Sequence, residues 1–382
     1  MAMNSRERVL TALNHEEPDR VPIVIGISNA TSMKMPTYQR FKAQLGIVAE
    51  DRYLYDWREL GTAAVDQKTL HRLHCDVRCV LDRFPPDVFS RNQERAPHTP
   101  FIDDWGIGQE EIEPGVWFPN IHPLADADTL DAIDDYPWPD MHDSNRVAHA
   151  SEEARSLAED GRYAIMGVPW LLFPLERAFA LQGMDQFLIN LALNREFAQA
   201  LLEKAAELCK TLMGSFLHET GEYLDIIKIG DDLGMQDRLL ISPQMYRQVL
   251  KPIHAEYIAF IKEHTRAKVL FHSDGDIFNL LDDLVEIGVD ILNPIQTSAG
   301  RIANLKELKR RYGEKLCFCG GIDTQHILPH GSPKQVLQEV HRVIEALAPG
   351  GGYLLAAVHT IMEEVPPENI LAMVDAVEQY HN

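Results

Sequence analysis

The chain has 382 residues, 45% of them hydrophobic and 25% charged, which is ample apolar content for a large core. Its 58 acidic residues against 36 basic ones leave a formal charge of −22, which excludes the basic footprint that nucleic acid or an anionic membrane requires. Five cysteines without a staple spacing, an N-terminus with no apolar leader and no run of 18 apolar residues predict a reduced, cytoplasmic protein.

The opening of the chain is predicted as a helix that Ser5 can cap, with Val9, Leu10 and Leu13 as its apolar stripe and Pro18 past its end. Beyond it, short apolar runs alternate with helical stretches. The predicted strands are VPIVIG (21–26), DVRCVL (76–81), RYAIMGVP (162–169), YLDIIKIGDD (223–232), AKVLFHSDG (267–275), GVDILNPIQ (288–296), KLCFCGGID (315–323) and GYLLAAVH (352–359). Between them lie amphipathic helices, among them a single long one over 184–221 and one opened by Ser242-Pro243. Near-continuous apolar strands are buried on both faces, as in a parallel sheet covered by helices.

Eight such strands in alternation with helices predict an α/β fold, a (β/α)8 TIM barrel. A doubly wound sheet is the alternative, but no strand is followed by G-x-G-x-x-G or a P-loop. The stretch from about 85 to 160 is rich in Pro, Asp and Trp. It is expected to be a lid-like cover inserted between strands 2 and 3, within a single domain spanning 1–382. Cys75-x3-Cys79 and Cys317-x-Cys319 each have a short metal-like spacing, but both sit in apolar runs and are read as core thiols.

In such a barrel the chemistry gathers at the C-terminal strand ends. Strand 4 ends in Asp231-Asp232, strand 5 in His272-Ser273-Asp274, strand 6 in Asn293 and Gln296, strand 7 in Asp323 and strand 8 in His359. A strand has a period of two, so His272 and Asp274 face the same way. With His359 they offer three ligands and leave positions open, the pattern of a catalytic zinc site. Spacing alone also admits a structural His–Asp pair beside a core histidine. Of Asp231 and Asp232, one is expected at the mouth and the other on solvent or a backbone N–H. Trp170 and Phe173 are candidate aromatic contacts to a substrate, and Asp104 of the Asp104-Trp105-Gly106 turn is a candidate to reach over the mouth.

Several stretches resemble the uroporphyrinogen decarboxylase superfamily across nearly the whole chain: SRERVLTALNHEEPDRVPI, DDWG, DYPWPD, IGDDLGMQ, FHSDGDIFNLLDDLVEIGVDILNPIQ, CGGIDTQHILPHGSP and PPENILAMVDA. The resemblance implies a (β/α)8 barrel. The porphyrinogen-binding members carry an arginine-rich signature after strand 1, and the corresponding loop here, ISNATSMKMPTYQRF, lacks it. Propionates would be left unpaired in an already acidic protein.

The chain looks closer to the corrinoid-dependent methyltransferase branch, whose zinc is held by His-x-Cys after strand 5 and by a cysteine after strand 8. His272 matches the histidine, while Asp274 and His359 stand where the cysteines would be. Two imidazoles and one carboxylate leave Zn²⁺ net positive and hard, better suited to an oxygen leaving group than to a thiol. The resemblance thus implies transfer of a methyl group from a small donor, an aryl methyl ether foremost, to a corrinoid on a partner protein. Asp231, Asp232 and Asn293 would serve catalysis, and Trp170, Phe173, Asp104 and Gln296 would bind substrate. A metal-independent decarboxylase and a non-catalytic binding barrel are the other readings, and a homodimer is left open.

Overall fold

The computed structural model describes residues 3–93, 99–113, 116–170 and 173–381. In chain order the strands are β1 (Val77–Val80), β2 (Phe101–Ile102), β3 (Gly108–Glu113), β4 (Val116–Ile121), β5 (Ala164–Gly167), β6 (Ile226–Gly230), β7 (Lys268–His272), β8 (Ile291–Ile295), β9 (Cys317–Ile322) and β10 (Tyr353–Ala357). Seven of them form one sheet in the order β1-β5-β6-β7-β8-β9-β10, every neighbouring pair parallel. Strands β5, β6, β8, β9 and β10 are buried along their whole length, as their unbroken apolar sequences require.

The predicted first strand is where expectation and structure differ. Residues 21–26 form only an isolated bridge, Ile23 to Leu355, yet they occupy the gap between β10 and β1. Val24 N–H donates to Leu355 O at 2.8 Å, Leu355 N–H to Pro22 O at 2.9 Å, and Asp76 N–H to Ile23 O at 2.9 Å. Pro22 has no N–H to offer a ladder, and Gly26, at φ +78°, turns the chain away. The segment still serves as the eighth stave and closes the barrel.

Its anchor is Asp76, fully buried just before β1. The carboxylate accepts from Ile23 N at 2.8 Å, from Arg20 Nη1 at 2.8 Å and from Arg8 Nη1 at 2.7 Å.

Two local expectations are corrected. The first helix, Ser5–Leu13, is capped by Asn4, which forms a reciprocal capping box with Glu7; Ser5 is already inside the helix. The long helix divides at Asn194 (φ −132°, ψ 62°) into Met184–Leu193 and Arg195–Thr220. The insertion between the second and third staves carries its own antiparallel sheet, β2-β3-β4. No helix among the described residues is long and apolar enough to cross a membrane.

Removing one partner of a buried charge group leaves the others uncompensated. Asp76→Ala should therefore cost about 3–5 kcal/mol, read as a lower urea midpoint. Asp237→Ala, which breaks the exposed pair with Arg238, should cost less than about 1 kcal/mol. Equal shifts in the two variants would remove Asp76 from the closure.

Candidate metal centre at the barrel mouth

His272 ends β7, Asp274 lies two residues on, and His359 lies two residues past β10. One ligand atom from each lies within 4.8 Å of the others. His272 Nε2 is 4.0 Å and His359 Nε2 3.7 Å from Asp274 Oδ2. Ligand atoms about 2.0–2.1 Å from a tetrahedral zinc lie roughly 3.4 Å apart, so closure of roughly an ångström would place all three on one ion. His272 is buried, whereas Asp274 and His359 are part-exposed, leaving one side of the group open to solvent.

The surrounding bonds fix each donor. His272 Nδ1 pairs with Asn293 Oδ1 at 2.7 Å, and Asn293 Nδ2 donates to Cys319 O at 3.3 Å. An amide oxygen only accepts, so the imidazole proton sits on Nδ1 and the Nε2 lone pair faces Asp274. Burial, and then the charge of Lys228, push the His272 pKa down to about 3, which keeps the ring neutral. Asp274 is held through its backbone, whose N–H donates to Asp232 Oδ1 at 2.8 Å, while its own Oδ1 is buried with no partner among the described residues. Gly275 N–H donates to Gln296 Oε1 at 2.8 Å. Gly275 has φ +85°, and a Cβ there would lie 2.4 Å from the backbone of Gly234, so only glycine lets the two loops touch.

Two ionisable residues at this site escaped sequence reasoning. Lys228 lies inside the apolar run of β6 and is buried, its Nζ 3.2 Å from Asn29 Oδ1 and 5.3 Å from the centre of the Phe173 ring. Burial lowers its pKa to about 8, while the charges of Glu176, Asp232 and Asp274 oppose the shift. Glu176, in the helix Pro174–Gln182, is driven well above the ordinary carboxylate range by burial and by Asp232 and Asp231. Burial raises Asp232 as well. The signal available in the sequence was a lysine within IIKIG, a strand otherwise too apolar to expect one.

The other predicted residues separate. Asp231 is fully buried and turned away from the metal group. Its carboxylate accepts from Leu175 N at 3.1 Å, Glu176 N at 2.9 Å and His254 Nε2 at 2.8 Å, which caps the helix carrying Glu176. Of the aspartate pair, Asp232 therefore serves the mouth and Asp231 a backbone. Asp323 caps the next turn through Gln325 N and His326 N.

Trp170 packs with Tyr55 (4.9 Å) and Trp57 (5.1 Å) in an aromatic cluster that also holds Phe84 and Phe101. Asp104 pairs with Arg146 and lines a small cavity with Trp170, Asp82 and Arg177. Neither Trp170 nor Asp104 contacts the His–Asp–His group. Phe173, by contrast, stands beside Lys228. The cysteines are free, and burial pushes Cys79, Cys209, Cys317 and Cys319 up to about 12, as expected of core thiols.

A parallel barrel with convergent ionisable groups at the C-terminal strand ends is the arrangement of a (β/α)8 enzyme. A model of the family described as uroporphyrinogen decarboxylase (URO-D) matches residues 111–380, and the chain belongs to that family. A uroporphyrinogen decarboxylase from Pseudoalteromonas translucida is 27% identical over 145 residues, 37% of this chain and 38% of that protein. Another, from Alkalilimnicola ehrlichii, is 23% identical over 99% of this chain and 95% of that protein. Among solved structures, a methyltransferase from Methanosarcina mazei covers 100% of both chains with a TM-score of 0.65 at 17% identity, a likeness of fold.

Because the Asp231 carboxylate accepts three buried donors and bonds to none of the three ligand side chains, Asp231→Ala should destabilise the chain by about 3 kcal/mol or more. Metal binding measured below the unfolding transition should persist. Loss of metal from a fully folded D231A protein would place Asp231 in the centre itself.

Proposed function

We propose that the chain is a methyltransferase that moves a methyl group from a small methylated donor, an aryl methyl ether foremost, to a corrinoid carried by a partner protein. One observation carries this reading: His272, Asp274 and His359 converge at the mouth with the Nε2 of His272 bare and its Nδ1 committed to Asn293. Those residues would hold zinc, with solvent-side positions left for substrate. When bound, the ion supplies Lewis-acid stabilisation of the charge that develops on a departing oxygen. The corrinoid supplies the nucleophile that accepts the methyl group.

The chain's own residues then have distinct tasks. Asn293 orients His272, and Asp232 and Gln296 hold the loop bearing Asp274. Glu176, kept protonated by burial and neighbouring carboxylates, can give its proton to the departing oxygen. Phe173 offers a ring face to an aromatic donor, whereas Trp170 and Asp104 sit apart from it, in the Tyr55–Trp57 cluster and the pair with Arg146. The full-length fold likeness to the Methanosarcina mazei methyltransferase is consistent with this assignment.

The family description and the names of the curated relatives favour a second reading, decarboxylation. For a porphyrinogen with several propionates, the loop after the first stave (27–41) is poorly equipped. Its two cations, Lys34 and Arg40, are engaged by Leu60 O and by Thr37 Oγ1 and Glu363 O. A smaller acid would remain, with no need of metal.

Elemental analysis and a screen of methylated compounds with cob(I)alamin separate the two readings. About one zinc per chain and formation of methylcobalamin are expected, both lost together in His272→Ala. Asn293→Ala should weaken zinc binding about 10- to 100-fold without removing a ligand. Methyl transfer that persists in metal-free protein would overturn the mechanism, and carbon dioxide release without metal would favour the decarboxylase.

A further inference from the structure

Lys228 has a donor surplus that the bonds of the site leave unexplained. On β6 the period of two gives Lys228 and Gly230 the same face. Gly230 lies against β7 so closely that a Cβ would sit 2.1 Å from His272 O. The lysine is 4% exposed. An ammonium carries three N–H donors. Among the described residues a single hydrogen-bond acceptor reaches it, Asn29 Oδ1 at 3.2 Å, and no carboxylate comes within ion-pair distance.

Glu176, Asp232 and Asp274 are near enough to stabilise its charge electrostatically. Glu176, however, is itself held above the usual carboxylate range and makes a weak counter-charge. A buried donor left unmet costs about 1–3 kcal/mol, so a cation with two spare N–H groups inside a barrel is a costly arrangement unless something arrives to accept them. The Phe173 ring, 5.3 Å from the same nitrogen, adds a flat apolar surface beside it. A planar group that ends in an oxyanion meets both.

We propose that Lys228 is a substrate-anchoring residue, its ammonium taking the carboxylate of a planar methyl donor while Phe173 lies along the ring. The donor class is then an aromatic acid rather than a neutral ether. This rests on the methyl-transfer reading of the mouth for what the anchored group is presented to, but the anchor itself is measurable without turnover.

The test is calorimetric titration of the full-length chain with benzoate and with benzamide, which share a ring and differ in charge. It is run with zinc and again after chelation, so that binding of the carboxylate to the metal is separated from binding to lysine. The wild type should bind benzoate at least tenfold more tightly than benzamide in both conditions. Lys228→Met should erase that preference, and Lys228→Arg should retain part of it. The methionine variant also removes the unmet charge and should stay folded, as read by thermal unfolding. If it does not, Lys228→Gln reports the same preference.

Equal binding of the two ligands by the wild type, or a preference that survives in K228M, overturns the proposal and leaves Lys228 a buried structural lysine. A preference for benzoate in a protein that transfers no methyl group would keep the anchor and sink the proposed function. Methyl transfer with no such preference would do the reverse.

Discussion

Closure of the barrel by an irregular stave is the constraint on which the mouth depends. His272 comes from β7 and His359 from just past β10, and they approach one another only because the sheet curls until residues 21–26 bridge β10 to β1. That segment cannot supply a regular ladder, with Pro22 lacking a donor and Gly26 bending out. Side-chain chemistry replaces the missing ladder bonds. A fully buried carboxylate at residue 76, shared by two arginines and one backbone N–H, holds the seam. A charge is expensive in a dry interior unless every lone pair is occupied, and here the arginines Arg8 and Arg20 occupy them.

The first turn of the helix Pro174–Gln182 links two polar regions that otherwise have little in common. Asp231 clamps its leading N–H groups, so Glu176 and Arg177 leave the backbone in fixed directions. Glu176 joins Lys228 and Asp232 near the mouth. Arg177 turns toward the insertion, 3.6 Å from Asp103 and stacked over the Trp105 ring. Burial raises Asp103 and Asp82 to about 7. The insertion is therefore tied to the same helix that carries Glu176, and a shift of one polar region would be felt in the other.

Much of this was legible in the sequence, and the failures share a cause. Apolar runs of parallel strands stand out because both faces are buried, so all eight staves could be placed. Period two then put His272 and Asp274 on one side of a strand, and the polar strand ends pointed to a single face. Side chains whose orientation is set by tertiary partners could not be read. Neither member of Asp231-Asp232 announces that His254 and a helix N-terminus will claim it. Lys228 is hidden because its β6 neighbours are isoleucines. Trp170 and Phe173, three residues apart, part company because one packs into the Tyr55–Trp57 cluster and the other against β6. The break at Asn194 and the cap at Asn4 are local choices that helical periodicity blurs, since Ser5 and Asn4 are both acceptable caps.

Spacing also left open whether His272 and Asp274 are merely a hydrogen-bonded pair, and the protons argue against that. A bond from His272 to Asp274 needs a hydrogen on Nε2. Either the ring would have to be doubly protonated, which burial opposes, or Nδ1 would have to give up its hydrogen. In the second case Asn293 would have to turn its amide to donate to Nδ1, and its oxygen would then face the carbonyl of Cys319, two acceptors in contact. The arrangement that satisfies Asn293 leaves an imidazole lone pair aimed at a carboxylate 4.0 Å away, with a second imidazole at 3.7 Å. Electron pairs converging on one point are repulsive by themselves, and a cation between them turns that repulsion into coordination.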